Sequence, residues 1–243
     1  MYSITLVDIA VAFIPVLATL VIIFFWSSSL KNASIAILRM LIQLLLIGYA
    51  LEYIFHANNH WIILAVLGFM LVAASWIALG ALPVKRSTLL GYSMIAIAGG
   101  GIINLALITQ AVLHVDPWYQ PAVMIPLAGM IFSNSMNSVS LAGERLYSEL
   151  NHNIDYARAR NTAFQAALIP ITNSLFAVGL VSLPGMMTGQ ILAGTSPLIA
   201  ARYQIIVMCM IFSSAGISTA IFLWLMHARR QRQTRKADTE PCG

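Results

Sequence analysis

The sequence predicts an all-α integral membrane protein: a polytopic helical bundle of about seven transmembrane helices, with the N-terminus outside and the C-terminus cytoplasmic. Three observations carry that reading. Of 243 residues, 60% are hydrophobic and only 9% charged, with a mean hydropathy of +0.85, whereas a soluble domain is about one-quarter charged. Apolar runs of about 20 residues recur along the chain, each long enough for a hydrocarbon core of about 30 Å, where only helices or closed barrels satisfy the backbone. The strict alternation of a barrel strand is absent. Finally, the basic residues segregate between alternate connections, as they do in membrane helices oriented by the positive-inside rule.

Seven spans are expected, at 6–26, 35–55, 61–81, 89–113, 121–141, 168–194 and 203–226, and together they make 1–243 a single transmembrane domain. The connections near 27–34, 82–88 and 142–167 hold Lys31, Lys85, Arg86, Arg145, Arg158 and Arg160, with Arg39 just inside its span. The basic tail 227–243 adds Arg229, Arg230, Arg232, Arg235 and Lys236, so one side collects twelve of the thirteen basic residues and the other only Arg202. The net charge of +5 is explained by this topology and implies no nucleic-acid partner. The first span lacks a basic leader and a small-residue cleavage site, so it reads as a retained helix. Cys209 and Cys242 make neither a disulfide framework nor a zinc site.

In the second span Arg39 and Gln43 share a face near the cytoplasmic end, where Arg39 reads as a side chain reaching back to the interface. Glu52 is followed four residues later by His56, and with His60, His114 and Asp116 these draw a cation-attracting mouth on the outer side; solvated loop residues would look the same. Trp61 opens the third span as an interfacial anchor. The fourth is interrupted by Gly99, Gly100 and Gly101, with Asn104 a turn beyond, which either admits another helix at close range or lets this one bend.

The fifth span, PAVMIPLAGMIFSNSMNSVSLAGER, carries polar groups that lipid tolerates poorly. With Met130 as reference and 100° per residue, Asn134 falls at about 40°, Asn137 at about −20° and Leu141 at about 20°, with Ser133 and Ser140 flanking them. The stripe either ties neighbouring helices together by hydrogen bonds or lines a pathway; both readings bury it against protein. Met124, Met130 and Met136 read as packing, with metal ligation the minor alternative. Residues 142–167 form the longest cytoplasmic connection, of mixed charge, with Glu144, Arg145, Glu149 and Asp155 as a docking element or a solvated surface helix. The sixth apolar region, about 27 residues, would span about 40 Å, too long for one straight crossing. Pro184 and Gly185 place a break there, ahead of Met186, Met187, Thr188, Gly189 and Gln190, and carbonyls freed at such a break can line a cavity. The last span, with Ser213, Ser214, Gly216, Ser218 and Thr219, has a small packing face.

The segments IPLAGMIFSNSMNSVSLAGERL, AALIP, VGLVSLPGMMTGQILAG and SPLIAARYQI resemble those of the FetB-type permeases, membrane subunits of bacterial ABC systems associated with iron export. Plant aluminium-tolerance permeases are similar. The resemblance runs from RMLIQLLLIGYALEYIF in the second span to the last. It implies a permease subunit in the bacterial cytoplasmic (inner) membrane that exports iron or another metal cation by alternating access. It also implies a homodimer of this chain, in contact with membrane lipid, and a separate cytoplasmic ATP-binding subunit carrying ATP and Mg. No GxxxxGK[ST] loop occurs, so no cofactor is expected on this chain and ATP hydrolysis falls to the partner; nothing suggests an enzyme. The chain departs from the family pattern at Ser133, where Gly is usual, and in running from Ile154 through DYARARNTAFQ to AALIP without a Leu-Gly-Ala segment. The expected substrate pathway comprises Met130, Ser133, Asn134, Asn137, Gln43, Pro184, Gly185, Met186, Met187 and Gln190, with Glu144, Arg145, Glu149 and Asp155 coupling to the ATPase. Glu52 and His56 are a possible metal pair. An ATP-independent carrier or channel, and an ABC permease for a nucleotide sugar, remain open as alternatives.

Overall fold

The computed structural model describes residues 5–26, 30–55 and 59–239, and every element of regular structure among them is helical. The chain divides into two compact units, 1–58 and 59–243.

In the first unit, α1 (Leu6–Ala12) and α2 (Ile14–Trp26) replace the single expected span 6–26. Thr5 and Asp8 form a reciprocal capping box at the start of α1. Pro15, which has no N–H to donate, sits just past the interruption at Phe13, the position at which a proline breaks the backbone ladder. The third helix, α3 (Leu30–Phe55), covers the expected second span and one more turn on its N-terminal side.

The second unit opens with α4 (His60–Ala78), whose N-terminus is capped by Asn59 accepting from the Trp61 N–H at 2.9 Å. The long α5 (Arg86–Ala106) passes directly into a π-helical turn at Leu107–Val112, where the Thr109 hydroxyl donates to Leu105 O at 2.8 Å. Next comes α6 (Pro121–Asn151), entered at Pro121, whose missing N–H costs nothing at a first helical position. It continues well past residue 141, and Asn153 in the left-handed conformation turns the chain (φ 59°). Asp155 then caps α7 (Tyr156–Ala177), its carboxylate accepting from the Ala157 N–H at 3.0 Å. The expected cytoplasmic connection 142–167 is therefore a helical hairpin with only residues 152–155 in its turn. The last helices are α8 (Gly185–Leu192) and α9 (Pro197–Thr239).

Six helical stretches among the described residues are long and apolar enough to cross a membrane: Val7–Trp26, Leu30–Tyr49, His60–Ala81, Arg86–Val112, Pro121–Asn151 and Pro197–Gln231. The expected seventh, 168–194, is not one of them. Its helix stops at Ala177, and the chain reverses through a tight turn in which Ala177 O accepts from Val181 N at 2.8 Å and Ser182 N at 3.1 Å. Gly179 holds a left-handed φ of 82° there, a conformation costly for any residue with a Cβ. The break thus begins seven residues before Gly185, and Pro184 serves as the N-cap of α8 rather than as the break itself.

The core of the second unit lies where α5, α6 and α9 meet, with α4 and α7 packed on its flanks and α8 on α9. Small residues let the three helices approach. A Cβ on Gly100 would lie 2.7 Å from Ser218 N and 2.9 Å from Ser214 O, which are backbone atoms of α9 that no rotamer change can move. A Cβ on Gly101 would meet Phe132 of α6 at 2.9 Å, and one on Gly99 would meet Ile221 at 2.9 Å. The glycine triplet is thus a close-approach site, and α5 runs through it as continuous helix. Gly100→Ala should destabilise the second unit by about 1–3 kcal/mol through overpacking, whereas Gly216→Ala, where open space surrounds the added methyl, should leave stability unchanged or raise it. Thermal unfolding of the two variants in detergent tests the contrast.

Candidate functional site

The two faces of α6 divide the polar residues of the fifth span. Ser135, Ser138, Val139 and Ala142 are buried, and the Ser218 hydroxyl of α9 donates to the Ser135 hydroxyl at 3.2 Å. Ser133 and Asn137, roughly opposite on the helix, are exposed, Asn134 and Met130 are half-buried, and Leu141 is 40% exposed. Neither hydrogen-bonded member of the exposed stripe reaches another helix: Asn134 Nδ2 donates to Met130 O at 2.9 Å, and the Ser133 hydroxyl to the same carbonyl at 3.2 Å. The expectation that the stripe is buried against protein is therefore corrected. The small residues on the other face determine which side packs, because they allow closer backbone approach than asparagines would.

Helix-to-helix polar bonding is made instead by residues around the glycine seam. Buried Asn104 donates through Nδ2 to Gly100 O at 2.7 Å and accepts at Oδ1 from the Ser213 hydroxyl of α9 at 2.8 Å. The buried Ser93 hydroxyl donates to Ser75 O of α4 at 3.2 Å. These bonds make the helix tie that was one of the two readings of Asn134 and Asn137.

A second group of polar atoms lies at the chain break. Gln190 Oε1 on α8 and Gln204 Oε1 on α9 are both buried without a donor among the described groups, an uncommon state for a buried amide. Gln204 lines a cavity of about 340 Å³ between α7, α8 and α9, together with Met187. Pro184 O accepts from the Thr188 hydroxyl at 3.1 Å and from Thr188 N at 3.0 Å. Gly185 is exposed and Met186 half-buried. Sequence reasoning passed over Gln204, since one glutamine in an apolar run gives no signal until burial is known. A separate cavity of about 490 Å³ between α4, the end of α5 and α6 is lined mainly by apolar side chains such as Leu64, Leu71 and Phe132 and touches no member of the stripe.

Of the remaining expected residues, Gln43 is exposed on α3 in the first unit. The Glu52 side chain and His56 lie outside the described residues. No group of three or more His, Cys, Asp or Glu that could hold a metal occurs among the described residues. His60 stacks on Trp61 and Tyr119 with centroids 5.0 and 6.0 Å apart, an aromatic girdle at the end of α4.

At the opposite end, Arg145 pairs with Glu149 one turn on, a surface contact worth about 0.3–0.5 kcal/mol. Glu144 is exposed and Asp155 is engaged as the α7 cap. A cavity of about 430 Å³ lies behind the hairpin, lined by Tyr147, Asn151, Tyr156, Arg229 and Arg230. Arg229 sits 5.8 Å over the Tyr92 ring and Arg86 5.7 Å over Trp76, so cations at this end stack on aromatic faces. Tyr156 anchors α7 to α9: its ring lies 4.5 Å from that of His227, and its hydroxyl donates to Leu223 O.

Taken together, these features define a polytopic helical membrane protein with an uncovered polar face on one membrane-spanning helix and a broken helix beside another. The chain belongs to the family described as "Uncharacterised protein family (UPF0014)", whose model matches residues 6–230. It is 38% identical over 196 residues to the UPF0014 membrane protein slr1647 of Synechocystis, covering 74% of this chain and 76% of that one. It is 36% identical over 210 residues to the probable iron export permease protein FetB of Escherichia coli, covering 79% and 78%. It is 32% identical over 234 residues to ALUMINUM SENSITIVE 3 of Arabidopsis thaliana, covering 89% and 84%. No solved structure matches the chain.

Burial pushes the Tyr156 hydroxyl up to about 12 from its ordinary value near 10, with Arg160 and Arg230 pulling the other way. The folded state thus favours the neutral phenol, and its contribution is intact below pH 10 and lost as pH rises toward 12. Thermal unfolding of the wild type should fall off more steeply over that window than unfolding of Tyr156→Phe. Equal slopes would show that this hydroxyl does not titrate with folding.

Proposed function

We propose that this chain is the membrane-spanning permease subunit of an ABC-type exporter for iron or another metal cation, working by alternating access as a homodimer in the bacterial cytoplasmic membrane. The observation that carries the reading is the exposed stripe Ser133–Asn134–Asn137 on α6. A side-chain amide facing acyl chains is costly, and a stripe left out of the packed core is best accounted for by a water-accessible route. The similarity to FetB, named as a probable iron export permease, supports a metal cation as cargo. The α7–α8 break supports a discontinuous helix beside that route, an arrangement recurrent in transporters.

In this mechanism Asn134 and Asn137 offer amide oxygens to a partly dehydrated cation, while Met130 and the α8 segment from Pro184 to Gln190 line the same route. The α6–α7 hairpin, with exposed Glu144 and the Arg145–Glu149 pair, receives the push of a separate cytoplasmic ATPase that holds ATP and Mg. Its mixed charge suits a protein partner, and the anchoring of α7 to α9 through Tyr156 gives the push a path into the core. The orientation that fits has the hairpin and C-terminus cytoplasmic, with the basic side chains collected there.

Replacing Asn134 and Asn137 together by Leu should abolish ATP-dependent ferrous iron uptake into inverted vesicles that contain this chain and its ATPase, with expression and membrane insertion unchanged. Full uptake by the double variant would remove the stripe from the pathway. Uptake by the wild type without ATPase or ATP would instead identify a carrier or channel.

A further inference from the structure

The cavity of about 430 Å³ behind the α6–α7 hairpin gathers cations without anions. Arg229 and Arg230 of α9 line it together with Tyr147 and Asn151 of α6, and no Asp or Glu is among its lining residues. Asp155 lies instead in the adjoining cavity, on the side of Arg230, where its carboxylate caps α7. Arg229 is half-buried and makes no ion pair or hydrogen bond among the described residues; its guanidinium lies 5.8 Å over the Tyr92 ring. A ring engages the flat face of a guanidinium and leaves the N–H donors on its edge unused. Nη1 is buried without an acceptor, so Nε and Nη2 are the donors that Arg229 can offer to an occupant. The Tyr147 hydroxyl and the Asn151 amide likewise make no hydrogen bond among the described residues. A cation withdrawn from water without a counter-ion is costly, and the uncommitted donors around it suit an anion rich in acceptor oxygens.

Depth narrows the choice of anion. Arg229 lies 27 residues beyond Arg202 on α9, about 40 Å at 1.5 Å per residue, which is the thickness of a bilayer with its headgroups. The rings of Trp76 and Tyr92, under Arg86 and Arg229, mark the same end as an interfacial aromatic belt does. Val84, Leu146 and Met226 add apolar lining, which suits the glycerol and first methylenes of a lipid better than a hydrated inorganic ion. We propose that this cavity binds the phosphate of an anionic phospholipid headgroup, with Arg229 as the charged donor, Tyr147 and Asn151 as neutral donors and Arg230 adding positive field. Basic pockets between helices at a membrane face bind such headgroups, and arginine recognises phosphate through paired N–H donors. A headgroup held there bridges the end of α6 to α9 behind the hairpin. The site stands whatever solute the chain carries.

The full chain in detergent, where no leaflet potential contributes, is titrated with phosphatidylglycerol, phosphatidylcholine and inorganic phosphate in turn, and bound species are counted by native mass spectrometry. Phosphatidylglycerol should bind on the order of tenfold more tightly than phosphatidylcholine. Arg229→Gln should weaken it by on the order of tenfold or more, as loss of a charge-assisted hydrogen bond does. Asn151→Asp, which puts a competing carboxylate into the same cavity from an exposed helix end, should weaken it as much without disturbing the fold. Arg86→Gln, which removes an equal charge from the same end but outside the cavity, should change it by less than about twofold. Undiminished binding in Arg229→Gln and Asn151→Asp, equal affinity for the two lipids, or an equal loss in Arg86→Gln would overturn the site. Displacement of phosphatidylglycerol by inorganic phosphate would support the phosphate chemistry, whereas phosphate binding without lipid binding would overturn the lipid as its source and give the site to a soluble anion. Binding of neither would overturn the proposal and leave the cavity to an acidic segment of a protein partner.

Discussion

The close passage of α5 against α9 at Gly100 is the constraint on which the second unit depends. With two backbones this near, Ser214 and Ser218 must be small, and Asn104, one turn along, can then reach Ser213. In lipid there is no hydrophobic gain from bringing helices together, so such packing and the hydrogen bonds it permits supply the association. The same seam orients α6. Phe132 fills the space over Gly101, Ser135 meets Ser218, and the helix is thereby rotated with its asparagines away from the core.

That rotation links packing to function. A helix with polar groups on both faces must commit one face to its neighbours, and here the smaller side chains go inward. Asn134 and Ser133 then fall back on the Met130 carbonyl of their own helix, which satisfies part of their hydrogen-bonding capacity. The local cost of an uncovered polar stripe is offset by the tight three-helix core behind it.

The α7–α8 region follows a different logic. Gly179 and the carbonyl of Ala177 complete a compact turn in which the N–H groups of residues 178–182 all find backbone acceptors. Its side chains are less well provided for: the amide oxygens of Gln190 and Gln204 have no hydrogen-bond donor among the described residues. The hairpin at the other end is the reverse case, with Asp155 capping α7 and Arg145 paired to Glu149.

Length, apolar composition and the sorting of basic residues determined by themselves that the chain is helical and spans a membrane, because a lipid interior admits almost no other backbone. The resemblance to the iron-export permeases was also readable, through the segments around Asn134 and Pro184. The polar stripe on α6 was visible as a 100° periodicity, but not the direction it faces, since two polar faces look alike until a neighbour chooses between them. Neither was the end of the sixth apolar region at Ala177 legible, because hydropathy continues unbroken through Val178–Leu183 while the backbone does not. Only the tertiary structure assigned the helix tie to Asn104 and Ser213 and brought Tyr147 and Asn151 to the cavity of Arg229. These residues are far apart in sequence or silent in composition, and what brings them together is the close packing that small side chains allow.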